Sequence, residues 1–255
     1  MRIITSSAAT ARLVGQALAA RIGILAGVDL LPVDRWVAQL QAELNDGESS
    51  PWRGLALELA IREVLQDLDF QESHPVVAEH LRTGPGRLRG TSQRLAVLLR
   101  RYSEHHPELL ARWLTDPEEA AGELPMHLRW QPELTTRVAE ILEWDPVEEL
   151  TRLRAALTEK PGPATAVFHC PDLPAATHLL LDAIGQIQDV PVLELENTAV
   201  PERITWLGSH DALRQAEVLR EELCRILLEE PTLEPRDVLV VVPDPAAWWP
   251  ALSLA

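Results

Sequence analysis

The chain has 255 residues, of which 46% are apolar and 24% charged, a composition typical of a globular protein with one or two domains. Its 23 basic and 39 acidic residues give a formal charge of −16, which excludes a strongly basic nucleic-acid arm but allows a local basic patch. Two cysteines are too few for a disulfide framework, and no signal core or long apolar stretch suggests export or a membrane span. We therefore expect a soluble, cytoplasmic protein.

Lysine occurs only once in the chain, at Lys160. A phosphate-binding P-loop needs Gly-Lys-Ser/Thr, because the lysine ammonium reaches the β- and γ-phosphates. Lys160 is followed by Pro161 and lies in the loop-like run EKPGPAT. The sequence therefore predicts that this chain does not bind ATP as a P-loop protein does.

The N-terminal segment predicts a strand, a loop and a helix. A short apolar strand covers residues 2–5, and the small polar run SSAAT follows it. Apolar residues then recur at helical spacing up to Ile22, with Ser7 or Thr10 as the helix cap. The next stretch, GILAGVDLLPVDRWVAQL, predicts a strand or loop that leads into a second helix near Asp34.

The middle of the chain predicts a small bundle of helices. Five amphipathic segments each carry one apolar stripe, and proline-containing breaks separate them. They cover residues 57–68, 95–102, 109–114, 134–142 and 147–157.

After the run KPGPAT the pattern changes to alternating strands and helices. We predict strands at residues 166–169, 192–195, 204–207 and 238–242, with helices at 179–187 and 213–227. The last strand is apolar and β-branched, which is typical of a strand buried on both faces. The predicted fold is an α/β sheet interrupted by a helical insert.

Several stretches carry recognisable motifs. The C-terminal run ITWLGSHDALRQAEVLREELCRILLEEPTLEPRDVLVVVPDPAAWWPAL combines a Ser-His turn, an R-x-x-E-V-L helix and P-T-L-x-P-R-D before an apolar run. Further motifs lie in four other runs, RIITSSAATARLVGQALAARIGILAGVDLLP, HHPELLARW, MHLRWQPEL and AVFHCPDLPAA. Together they resemble the RecC family, the gamma subunit of exodeoxyribonuclease V. The matching positions include Gly23, Ile24, Trp113, Trp130, Arg214, Glu217, Val218, Leu219, Pro231, Thr232, Leu233, Pro235, Arg236, Asp237 and Pro250.

The resemblance implies an architecture. It is a superfamily-one helicase-like parallel sheet domain interrupted by an all-helical insert, followed by the start of a second α/β domain. The expected boundaries are 1–50 for the first part of the sheet domain, 51–160 for the insert, 161–200 for the remainder of the sheet domain and 201–255 for the second domain. Members of this family are large, so we expect this chain to be a fragment or a truncated member.

The resemblance also implies a function. RecC-family subunits have lost the motor residues of a helicase and partner the helicase–nuclease (beta) and helicase (alpha) subunits of exodeoxyribonuclease V. They contact double- and single-stranded DNA, and the holoenzyme uses ATP and Mg for helicase and exonuclease activity in double-strand break repair and recombination. No cofactor is expected in this chain itself.

Three residues occupy the place of a helicase phosphate loop: Ser6, Ser7 and Thr10. Without Gly-Lys-Thr they form either a degenerate anion site at a helix start or a plain helix cap. Asp172 lies where a motor would carry two carboxylates, one for magnesium and one for water. One carboxylate cannot do both, so Asp172 is expected to be a turn residue or a helix cap. We therefore assign no catalytic residue.

A metal site is not predicted. Zinc would need ligands from His169, Cys170, His178 and Cys224, whose spacings match no common structural zinc pattern, so we expect buried strand cysteines instead. Glu194 and Glu196 alternate with apolar residues, but a metal-dependent nuclease would also need a nearby aspartate and usually a lysine.

One basic cluster stands out in this acidic chain. Residues 74–112 contain seven arginines and three glutamates, a net charge of +4. The guanidinium fork suits phosphate contacts, although a solvated helix face explains the cluster equally well. The candidate DNA-binding residues are Arg87, Arg89, Arg94, Arg100 and Arg101.

The tryptophans allow two interpretations. Most are expected to pack in the core, and some could be platforms on which the bases of single-stranded DNA stack. The six in question are Trp36, Trp52, Trp113, Trp130, Trp144 and Trp206, while Trp248 and Trp249 are expected at an exposed interface.

Three functional hypotheses follow. The first is a non-catalytic DNA-binding and scaffolding subunit, or a fragment of one, of a RecBCD-type ATP-dependent helicase/exonuclease. The second is an autonomous ATP-hydrolysing superfamily-one helicase, which the missing lysine and paired carboxylates oppose. The third is an inactive gene remnant. Co-purification with a partner subunit separates the first from the third, and ATP binding tests the second.

Overall fold

The computed structural model describes residues 1–45, 47–84, 86–193 and 205–255, and the chain divides into two compact units, Met1–Leu195 and Glu196–Ala255. The first unit is built on a four-stranded parallel sheet of order β2-β1-β3-β4. Its strands are β1 (Arg2–Thr5), β2 (Asp29–Pro32), β3 (Thr165–Phe168) and β4 (Val192–Leu193). The α/β class and a parallel sheet are thus confirmed. The predicted strand at 192–195 is present at its first two positions, and residues 194 and 195 lie outside the described residues.

Strand β1 lies in the middle of this sheet. Its Arg2 is in register with Asp29 of β2 on one side and with Thr165 of β3 on the other. Ile3 and Ile4 are 3% and 0% exposed, as expected for β-branched residues of a parallel strand covered on both faces.

A helix follows each of the first two strands. Helix α1 (Ala8–Ile22) begins directly after β1, and the Ser7 hydroxyl accepts a hydrogen bond from the Thr10 amide at 3.1 Å. The predicted cap at Ser7 is therefore confirmed. Helix α2 (Val33–Leu44) follows β2, as the apolar pattern near Asp34 indicated.

In the described residues between 54 and 159, the helical insert has eight α-helices. Four of them carry proline at the first or second helical position, where the missing amide hydrogen costs nothing, so these prolines mark helix starts. The helices are α3 (Gly54–Gln66), α4 (Leu68–Ser73), α5 (Pro75–Arg82), α6 (Arg87–His105), α7 (Pro107–Thr115), α8 (Pro117–Glu123), α9 (Trp130–Leu142) and α10 (Pro146–Glu159).

Two main clusters of buried side chains hold the first unit together. One lies inside the insert, where α3, α6 and α9 bury residues such as Ile61, Leu99 and Leu134. The other joins the sheet to α2, α10 and α11 (Ala175–Gly185) through residues such as Trp36 and Leu153. Helix α10 therefore belongs to the sheet layer, although the sequence pattern groups it with the bundle.

The second unit differs from the sequence prediction. Its described part, residues 205–255, contains α12 (Ala212–Glu229) and α13 (Pro245–Leu254) but no strand. The predicted strands at 204–207 and 238–242 are therefore wrong at every described position, and Ile204 lies outside the described residues. An interior strand needs a neighbouring strand, and without one among the described residues Leu239 and Val241 remain 85% and 81% exposed. Where the sequence predicted the start of a second α/β domain, the described residues 205–255 form helices and loops.

None of the helices in the described part of the chain is long and apolar enough to cross a membrane.

The insert core makes a testable prediction about stability. Leu57 and Leu59 lie on the same helix, α3, but are 1% and 50% exposed. Leu57→Ala should lower the free energy of unfolding by about 2–5 kcal/mol, because it leaves a cavity in the core. Leu59→Ala removes the same atoms from a half-exposed site and should cost less than about 1 kcal/mol. Urea unfolding followed by tryptophan fluorescence measures both. Equal costs would show that α3 does not face the core as described.

Candidate functional site

A cavity of about 930 Å³ lies at the carboxyl ends of β1, β2 and β3. Its wall includes Ser6 and Ser7 directly after β1, Val33 after β2, and His169 and Cys170 after β3. The chain runs from β1 to β2 on one side, and β3 later adds to the other side of β1. This reversal is the place where open parallel sheets bind their ligands.

The helical insert supplies the opposite wall of this cavity. Arg100, Ser103 and Glu104 come from α6, and Glu149 comes from α10. The segment between α2 and α3 adds Ser50, Trp52 and Arg53. The site is therefore built jointly by the sheet edge and the insert, at a size typical of ligand pockets.

Two of the three residues that the sequence placed at a degenerate phosphate loop, Ser6 and Ser7, form part of the cavity wall. Besides capping α1, the Ser7 hydroxyl lies 2.9 Å from the Thr10 hydroxyl, and the Ser6 hydroxyl lies 3.2 Å from it. The Thr10 hydroxyl thus hydrogen-bonds to both serine hydroxyls, and Ser7 also caps the helix. Asp172 also lines the cavity and lies in a turn after β3, as predicted, while the residue that caps α11 is Pro174.

A buried carboxylate, Glu149, joins the two walls. It is 3% exposed and accepts hydrogen bonds from Gln41 Nε2 at 3.1 Å, Asn45 Nδ2 at 3.3 Å and Ser50 Oγ at 2.9 Å. Among the described residues no cation forms an ion pair with it, so three neutral donors replace its lost hydration. Sequence reasoning missed this residue, because its partners lie 99–108 positions earlier in the chain and no local pattern marks them.

The five candidate DNA-binding arginines all lie on α6, but they form two groups. Arg87, Arg94 and Arg101 repeat every seven residues, so they stay within about 40° of one another around the helix. We call these three the outer arginine row; all are exposed, and no described residue forms an ion pair with them. Arg89 and Arg100 lie along a second line, and Arg100 is the member of the five that lines the cavity.

Arg100 shares an acidic partner with an arginine outside α6. Arg100 Nη1 lies 3.5 Å from Glu104 Oε1, and Arg53 Nη2 lies 3.4 Å from the same oxygen. The two guanidinium groups therefore converge on one carboxylate oxygen in the cavity wall.

The cysteine positions correct one expectation. Cys170 is half-buried beyond the end of β3, where its thiol donates to the Phe168 carbonyl at 3.3 Å, and burial raises the pKa of this thiol. Cys224 is exposed on α12, so neither is a buried strand cysteine. Within the described ranges no three His, Cys, Asp or Glu side chains form a group that could hold a metal ion, and Glu194 and Glu196 lie outside those ranges.

Most tryptophans belong to the core. Trp36, Trp52 and Trp113 are at most 2% exposed, and Trp130 and Trp144 pack partly buried against the insert core. Trp206 is 91% exposed and Trp249 is 69% exposed, while Trp248 is half-buried. Among the described tryptophans, the two that are mostly exposed, Trp206 and Trp249, thus belong to the second unit.

The Glu149 contacts make a second prediction. Glu149→Ala removes the acceptor of three buried or half-buried donors and should lower the free energy of unfolding by about 1–3 kcal/mol. The neighbouring Glu148 is exposed, so Glu148→Ala should cost less than about 1 kcal/mol and serves as the control. Urea denaturation of both variants tests this difference. If Glu149→Ala is as stable as the control, Glu149 does not stabilise the contact between the two walls.

Comparison with known proteins agrees with the sequence motifs. The family model described as RecC, N-terminal domain, matches residues 1–209. The RecBCD enzyme subunit RecC of Mycolicibacterium smegmatis is 23% identical over an alignment that covers 95% of this chain and 30% of that protein. The subunit of the same name from Mycobacterium tuberculosis is 24% identical, with 87% of this chain and 29% of that protein covered.

The chain therefore spans about 30% of the length of the curated relatives that it matches. The family match covers both walls of the cavity and all of α6. Because this family model matches most of its length, the chain belongs to the RecC family.

Proposed function

We propose that this chain is a non-catalytic, DNA-binding and scaffolding part of a RecC-type subunit in a RecBCD helicase/exonuclease. Its partners are the helicase–nuclease and helicase subunits of that complex, acting together in double-strand break repair and recombination. Membership of the RecC family and the names of the relatives support this assignment. The observation that carries the DNA-binding role is the outer arginine row, three exposed cations without acidic partners among the described residues of a chain with a charge of −16.

The position of the row suits a phosphate contact surface. Leu95 and Leu99 lie about 100° and 140° around α6 from Arg94 and are buried in the insert core, so the helix is anchored while its arginines face solvent. From Arg87 to Arg101 the row extends about 21 Å along the helix, which allows contacts with successive phosphates. Such contacts hold a strand without reading its sequence, as expected of a guiding surface.

The proposal gives ATP no role in this chain. A motor would need a lysine at the β/γ-phosphates, and at the start of α1 the Thr10 hydroxyl hydrogen-bonds to both serine hydroxyls. ATP and magnesium chemistry is therefore assigned to the partner subunits.

Charge reversal tests the DNA-binding role. The double variant Arg87→Glu/Arg94→Glu should bind a fluorescein-labelled oligothymidine at least about tenfold more weakly at low salt, because two phosphate contacts become repulsive. The slope of log K against log salt should become shallower by about 1.4, or about 0.7 for each lost contact with a single strand. Fluorescence anisotropy of the full chain measures both quantities.

A matched control carries the same charge change elsewhere. Arg12 and Arg21 are exposed on α1 and lie outside the cavity wall, so Arg12→Glu/Arg21→Glu should weaken binding much less. If the α6 variant binds as well as the parent, or no worse than the α1 control, the outer arginine row is only a solvated helix face.

A further inference from the structure

Three charged residues in the cavity wall form an unusual group. Arg53 immediately precedes α3, whereas Arg100 and Glu104 lie one turn apart on α6. Both arginines point a nitrogen at the same atom, Glu104 Oε1, at 3.4 and 3.5 Å. These distances exceed the usual 2.7–2.9 Å of a charge-assisted hydrogen bond, so neither guanidinium makes a close pair with the carboxylate.

We propose that Arg53 and Arg100 form a phosphate site for single-stranded DNA, and that Glu104 occupies this site in the absence of DNA. The inference rests on the proposed DNA-binding function and adds the regulation of one contact to it. Glu104 Oε1 stands where an unesterified phosphate oxygen would sit. When the strand arrives, the Glu104 side chain turns to solvent and the two arginines take the phosphate.

The exchange is physically feasible because the three side chains are only partly buried. Their exposed fractions are 26% for Arg53, 41% for Arg100 and 24% for Glu104, so water screens the present ion pairs and makes them weak. A phosphodiester has two oxygens that share one negative charge, so each guanidinium group can bind its own oxygen, whereas both now approach the single atom Glu104 Oε1. Glu104 lies on the helix surface and can rotate without moving the backbone.

The balance of charges in the cavity wall explains why the position of Glu104 affects phosphate binding. The cavity wall has one more carboxylate than arginine, which disfavours a triphosphate. With Glu104 turned away the two become equal in number, and a singly charged phosphodiester is accepted more easily. The residues counted are Arg35, Arg53, Arg100, Asp34, Glu104, Glu149 and Asp172.

The position of Arg100 favours a nucleic-acid strand as the source of the phosphate. Arg100 is adjacent in sequence to Arg101 of the outer arginine row, about 100° away around α6. A strand that follows the outer row and crosses the helix therefore reaches the cavity mouth at Arg100. A free phosphate ion would not contact the outer arginine row and Arg100 at the same time.

Removing the negative charge of Glu104 tests the proposal. Glu104→Gln should bind oligothymidine about threefold tighter than the parent at low salt, since the competing ion pair is lost. The salt slope should steepen by about 0.7, the value for one added phosphate contact. The double variant Arg53→Gln/Glu104→Gln should lose both gains, because one of the two guanidinium groups is missing.

The chain offers a matched control for the charge change. Glu123 pairs with Arg112 at 2.9 Å, both side chains are 61% exposed, and neither residue lines the cavity. Glu123→Gln therefore frees an arginine and removes the same charge away from the site. Its gain in affinity should be clearly smaller than that of Glu104→Gln, and circular dichroism verifies that all variants remain folded.

The outcomes separate this inference from the function on which it rests. If reversal of the outer row weakens binding while Glu104→Gln gains no more than Glu123→Gln, the gated site is wrong and the proposed function stands. If neither change alters binding, both are wrong. If inorganic phosphate at equal phosphate concentration abolishes the gain of Glu104→Gln, the site binds free phosphate and its assignment to DNA is overturned.

Discussion

The central position of β1 is the constraint on which the rest of the first unit depends. Arg2 of β1 is in register with Thr165 of β3, so the whole helical insert must leave the sheet after β2 and return before β3. The chain leaves at the carboxyl end of β2, and side chains of the insert face the carboxyl ends of three strands across the cavity. The sheet edge that binds ligands in open α/β folds is thereby enclosed by α6, α10 and the segment before α3.

Polar contacts add to the apolar packing that joins the two walls of that cavity. Glu149 reaches from α10 to Gln41, Asn45 and Ser50, while Glu104 lies between Arg53 and Arg100. The first carboxylate is buried, and its three hydrogen bonds make it a fixed part of the wall. The second is partly exposed, and its two contacts with arginine are long, at 3.4 and 3.5 Å, as the proposed exchange requires. The difference in burial thus separates a structural glutamate, Glu149, from one that we propose can move, Glu104.

Local patterns predicted local structure well. The apolar pair Ile3 and Ile4, the Ser7 cap and the breaks between helices at Pro75, Pro107, Pro117 and Pro146 each depend on residues within one or two turns, and the structure contains all of them. The run VLVVV was misleading, because a strand depends on partners that a single apolar run cannot specify.

The candidate site was harder to predict than the fold. The arginines of α6 were visible as a cluster, but only the helical geometry separates the outer row from Arg100 in the cavity. Glu149 and its donors are 99–108 residues apart, so no window of sequence shows them together. The absence of a phosphate-loop lysine, by contrast, is visible in the sequence because it is a local property.

The central functional claim is that DNA runs along α6, and photocrosslinking tests it most directly. A thiothymidine-substituted oligonucleotide is bound to the full chain, irradiated, and the modified peptides are identified by mass spectrometry. The account predicts crosslinks on peptides from Arg87 to His105, with weaker ones at the cavity segment that contains Arg53. Crosslinks confined to α12 and α13, or spread evenly over the surface, would contradict it.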